Sequence, residues 1–283
     1  MAPFKALASG PHLNFTEGPR PDGKGNVYFT DVFGRGLYRL NADGNCDTLG
    51  PERQSSGGCV INRDGRVIYS GRDGLAAYDP ATGDVTPLAA SIDGQPILGI
   101  NDIEADPQGN IWGGTLDHES LEKGEPMQPG VLFRLSRDGT ARQLGATTIP
   151  NGMDFSPDGK VFYFSESGEG VFAYDVADDG TLSGRRMVAG PIPDSDGIVL
   201  DMAGGLWVAR YQGKTLVHYT ADGVADITLE TPFANMASVA FGGDDLRTLY
   251  IAGGSLAETG TGALLALRVD VPGHPPRTAD IPL

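Results

Sequence analysis

The chain has 283 residues, 40% of them hydrophobic, which is enough for a large core and compatible with one domain or two. Its 42 glycines and 20 prolines exclude a protein of long helices and point to an all-β chain rich in turns. A formal net charge of −16 repels phosphate backbones and anionic bilayers, so neither nucleic acid nor a membrane is the expected partner.

The N-terminal stretch MAPFKALASGPHLNF has one Lys and no apolar run of the kind a signal peptide needs. No stretch approaches the ~18 apolar residues of a membrane span. Cys46 and Cys59 are too few for a disulfide framework and read as inert structural thiols. A cytoplasmic protein, monomeric or weakly self-associating, is the expectation.

Taken in order, one pattern recurs six times: a Gly/Asp turn, a short apolar-aromatic strand, a Gly turn and a second strand. The copies are GNVYFTDVFGRGLYRLNADG, GRVIYSGRDGLAAYDPATG, GNIWGGT with GVLFRLSRDG, GKVFYFSESGEGVFAYDVADDG, GGLWVARYQGKTLVHYTADG, and RTLYIAGGS with GALLALRV. Equivalent apolar positions are Tyr28, Ile68, Trp112, Phe162, Trp207 and Tyr250, separated by 40, 44, 50, 45 and 43 residues. Short strands such as IEAD, MDFS, IVLD and VAFG precede the pattern, and DVTPL, ARQLG and ITLE follow it. A period in the forties with four strands per repeat predicts a six-bladed β-propeller over residues 1–283, a single domain. The N-terminal FKALASG resembles an outer strand such as VTPLAAS, and is expected to pair with the last blade and close the ring.

The first strand of each blade lines the central channel. Eleven residues before each aligned apolar position stand Glu17, Gly57, Asn101, Asn151, Asp196 and Val239. Taken singly, each is what a turn would use. Taken in register, four side-chain oxygens converge on one axis. Two carboxylates close together repel, and a divalent cation relieves the repulsion. Such a hard-oxygen set suits calcium, with magnesium or manganese as alternatives, better than zinc. Asp102, next in the chain after Asn101, is expected to point away from the axis.

The ordered set FTEGP, IND, PNGMDFSPDG, SDGIVLDMAGGLWVAR and SVAFGGDDLRTLY resembles the SMP-30/gluconolactonase/luciferin-regenerating family, which includes regucalcin, along essentially the whole chain. The resemblance implies a six-bladed propeller that hydrolyses a lactone ring with a bound metal ion. It implies metal ligands at Glu17, Asn151 and Asp196, and substrate contacts at Asn101 and at Glu119 in GTLDHE. It also implies that Asp196 activates water as general base while the cation polarises the carbonyl. The adjacent His118 is a further candidate substrate contact.

The sequence departs from the family at Gly99, where sugar-lactone enzymes carry an Arg. Losing that fork of donors opens space and points to a substrate less polar than an aldonolactone, or to a different ester. The segment DHESLEKGEPMQPG, residues 117–130, is longer than the other hairpin turns and reads as a lid. A phosphotriesterase or arylesterase on the same metal site, and a non-catalytic binding propeller with a structural cation, are the competing readings.

Overall fold

In the computed structural model, which describes residues 4–283, the strands assemble into six antiparallel sheets of the predicted kind. Their inner strands are Thr16–Pro21, Cys59–Asn62, Ile100–Ala105, Pro150–Phe155, Ser195–Leu200 and Asn235–Gly242. Each blade continues outward through three further strands, as the repeat required. The turn after each inner strand is fixed by its own side chains. In DPQGNIW, Asp106 accepts from the backbone N–H groups of Gln108 and Asn110, each at 2.9 Å, and from Trp112 Nε1 at 2.9 Å.

Ring closure follows the expectation. Strand Lys5–Ser9 pairs antiparallel with Ala263–Arg268, so the sixth blade is completed by the chain's first strand. The core is a set of apolar seams, one between each pair of neighbouring blades. Trp112 and Leu132 of the third blade meet Phe155, Phe162 and Phe164 of the fourth. Ile103, Ile111 and Phe133 of the third blade meet Val60, Ile68 and Leu75 of the second. Each seam holds two sheets face to face, and together they hold the inner strands around one axis.

Three features were not anticipated. Segment 117–130 contains an α-helix, His118–Lys123, where an irregular loop was expected. Asp117 caps its start, accepting from Ser120 N at 3.1 Å, and Gly124 ends it in a left-handed conformation at φ +66°. A short hairpin, Ser91–Ile92 with Gln95–Pro96, precedes the third blade. The C-terminal residues run across the far end of the channel, where Thr278 and Ala279 pair in parallel with Ile61 and Asn62. There Arg277 meets Asp154 at 2.6 Å, and Arg20 meets Glu104 at 2.8 Å. Arg20, Glu104 and Asp154 each stand three residues beyond a proposed site residue on the same inner strand, which puts the site at the opposite, open end.

Candidate metal centre and hydrolytic site

The inner strands are not regular at the open end. Their pairing register shifts between Glu17 and Arg20, Ile100 and Ile103, Pro150 and Met153, and Ser195 and Ile198. A bulge of this kind breaks the two-residue alternation and re-aims side chains. Every polar residue aligned from the sequence lies at or inside one of these bulges. Glu17, Asn101, Asn151 and Asp196 all line one cavity of about 690 Å³ and are all buried. The blades approach so closely there that a Cβ on Gly152 would sit 2.3 Å from Ile198 N. In the second blade, a side chain at Gly57 would meet Asn101 O at 2.0 Å, so that blade contributes no donor.

The sixth blade needs a correction. Tyr250 pairs with Ala240, whereas Trp112 pairs with Glu104, so the counterpart of Asn101 is Ala237 and not Val239. The turn GGDDLRT is longer than its equivalents, which moves the fixed count of eleven off by two residues. Asp102 needs another. The bulge turns it with Asn101 towards the channel, where its charge raises the carboxyls of both Glu17 and Asp196. A Cβ on Gly58 would lie 2.2 Å from Asp102 Oδ1, so this side chain reaches over the second blade's inner strand.

The hydrogen bonds define what the centre holds. Asn101 Nδ2 donates to Pro150 O at 2.7 Å and to Asn151 Oδ1 at 2.6 Å. Asn151 Nδ2 donates to Ser167 Oγ at 2.7 Å. This leaves Asn151 Oδ1 facing Asp196 Oδ1 at 2.9 Å, a contact that a proton on the Asp196 carboxyl or a cation can bridge. Turning the amide over would make Asn151 a donor to Asp196 and an acceptor from Ser167 Oγ. A cation seated between the two oxygens satisfies them with the amide as it stands. Burial, then Glu17 and Asp102, push Asp196 well above the usual carboxylate range. Burial, then Asp102 and Asp31, push Glu17 up to about 8, and burial pushes Asp102 to about 6. Buried carboxylates that resist ionisation in one place are a site that fits a positive ion. Among the described residues no group of three His, Cys, Asp or Glu side chains has metal-holding geometry. The donor set here is carboxylates plus carboxamides, the hard-oxygen chemistry of calcium or magnesium.

His118 lines the same cavity and is buried. Burial pushes its imidazole down to about 4, so the ring is neutral at physiological pH. It hydrogen-bonds the Ile100 backbone, and its Nε2 is buried without a protein partner. Its place explains Gly99. That residue has φ +144°, and a Cβ there would fall 2.6 Å from His118 Cδ2 and 2.7 Å from Leu116 O. Glu119, in contrast, is not brought to the site. Its side chain is exposed and pairs with Lys123 at 2.5 Å, because the helix turns it to solvent. Glu122, from the same helix, lines the cavity and meets Arg72 at 2.5 Å.

Sequence reasoning missed Phe33, Ser167 and Tyr211, which also line the cavity. Burial beside Asp196 and Glu17 raises the Tyr211 phenol. A common signal was available: all three stand in the turn after the second strand of their repeat, in DVFG, SESG and RYQG.

Comparison with known proteins agrees with this architecture. The SMP-30/Gluconolactonase/LRE-like region matches residues 15–255. Pentonolactonase XacC of Haloferax volcanii is 33% identical, over 94% of this chain and 95% of its own length. The 6-deoxy-6-sulfogluconolactonase of Pseudomonas putida is 31% identical, over 87% of this chain and 88% of its own. The solved structure of the calcium-binding protein regucalcin from Agrobacterium tumefaciens superposes with a TM-score of 0.84 at 24% identity, covering 99% of this chain and 97% of that one.

Proposed function

Since the chain belongs to the SMP-30/gluconolactonase/LRE-like family, we propose that it is a metal-dependent lactonase whose centre is built by Glu17, Asn151 and Asp196. The observation that carries this reading is the convergence of Glu17, Asn151 and Asp196, all buried, on one cavity. Calcium is the first choice for hard-oxygen donors, followed by magnesium and manganese, with zinc last. When bound, the ion supplies Lewis acidity toward the lactone carbonyl and offsets the negative charge that attack places on it.

The residues of the chain do the rest. Asp196, buried on the cavity, accepts the proton of the attacking water. Asn101 is held by two hydrogen bonds and orients both the Asn151 oxygen and the substrate. His118, neutral and with an unpartnered Nε2, accepts a hydrogen bond from the substrate or from the water that precedes it. The relatives named for lactone hydrolysis support the reaction class. Both cysteines are free, which fits the reducing conditions of a cytoplasm.

Parallel assays of lactones and of a paraoxon-like triester separate lactonase from phosphotriesterase. The lactonase reading expects lactones to be the faster substrates. It also expects Asp196→Ala to lower kcat/KM by on the order of 10³ and Asn101→Ala by roughly 10². Turnover that persists in both variants would overturn the assignment.

A further inference from the structure

We propose that the substrate is a lactone bearing an apolar alkyl or aryl group, with the ring over Asn101 and Asn151 and the group against an apolar wall of the same cavity. This rests on the lactonase reading above. The wall begins with three aromatic rings. Phe15 and Phe33 stand with centroids 6.1 Å apart, and Phe15 and Tyr211 meet edge-on at 6.1 Å. Ile149, Leu121 and Leu256 continue it around the mouth.

Three of these side chains are large, apolar and open to water: Phe33 is 49% exposed, Leu121 47% and Leu256 51%. They come from the first blade, the helix of segment 117–130 and the sixth blade, and all three line the same cavity. Exposed apolar side chains gathered on one pocket are the signature of an apolar ligand group. The polar side of the cavity points the same way. Its lining has carboxylates but no Lys or Arg, so a sulfonate or carboxylate on the substrate would find no side-chain counter-charge. At about 690 Å³ the cavity has room for a ligand larger than a five-carbon sugar lactone. The site of Gly99, with His118 across from it, provides no fork of donors for ring hydroxyls.

The test measures kcat/KM for γ-nonalactone, unsubstituted γ-butyrolactone and a pentono-1,4-lactone in the calcium-loaded full chain. The expected preference for γ-nonalactone over either of the others is on the order of 100-fold, since each buried methylene adds to transition-state binding. In Phe33→Ser and Leu256→Ser the ratio of γ-nonalactone to γ-butyrolactone should fall about tenfold. Both residues are half-exposed, so the two variants fold independently of the outcome. Equal or better turnover of the pentonolactone, or a ratio unmoved by both substitutions, would overturn the apolar class and leave the lactonase reading standing. No hydrolysis of any lactone with calcium, magnesium, manganese or zinc would overturn the reading and this inference together.

Discussion

The informative residues are those where a side chain was exchanged for space. Gly99 holds φ +144° with His118 and Leu116 O against it, so the backbone and the histidine compete for one volume. Gly99→Ala is therefore expected to cost about 1–3 kcal/mol through strain and overpacking. Gly65, at φ +92° with nothing within 4 Å of its Cβ position, pays only for conformation, so Gly65→Ala should cost about 1 kcal/mol. Thermal denaturation of the two variants measures the difference. A Gly99→Ala protein as stable as Gly65→Ala would show that His118 moves aside freely and is not a fixed wall of the site.

At the scale of the element, the bulge is the device that makes a site out of a strand. Regular strands would alternate Asn101 inward and Asp102 outward; the shift between Ile100 and Ile103 directs both to the channel. This is why the sequence located Glu17, Asn101, Asn151 and Asp196 but misjudged Asp102. Apolar periodicity and turn residues report strand position, while a bulge leaves no mark in apolar spacing. Val239 was misplaced for a related reason, since counting presumes equal turns and GGDDLRT is longer. Glu119 could not be told from its neighbours His118 and Glu122 without knowing that the segment coils into a helix. The strand Lys5–Ser9 was legible because it repeats the outer-strand pattern, and it carries a prediction. Deleting residues 1–9 uncovers the edge of Ala263–Arg268 and opens the ring. The shortened chain is expected to melt at lower temperature and to self-associate in light scattering. A monomer of unchanged melting temperature would mean that closure does not depend on this strand.

The whole molecule is an acidic ring that concentrates negative charge on its axis. Glu17, Asp102 and Asp196 all have folded-state pKa values above their ordinary ones. A carboxylate raised on folding adds no penalty below its unfolded pKa and its full penalty above the folded one. The metal-stripped protein should thus lose stability as pH rises from about 4.5 to about 8, the window set by Glu17. Calcium should restore more stability at pH 8 than at pH 5, because bound charge then replaces bound protons. Denaturant midpoints with and without calcium at the two pH values check this, and an equal calcium effect at both would contradict it. The fold itself was readable because each blade repeats one pattern and buries it in a seam with the next. The far-end closure by residues 270–283 was not, since that segment belongs to no repeat and is held by a two-residue parallel pairing and side-chain contacts such as Arg277 to Asp154.

The account stands most directly on whether the axis carboxylates hold a cation that the reaction needs. The deciding measurement is lactone hydrolysis by chelator-stripped protein titrated with calcium, for the unsubstituted chain and for Asp196→Ala. The account predicts negligible hydrolysis without the ion, saturable recovery in the unsubstituted chain, and no recovery in the variant. Full activity in chelator, or equal recovery in Asp196→Ala, would contradict it.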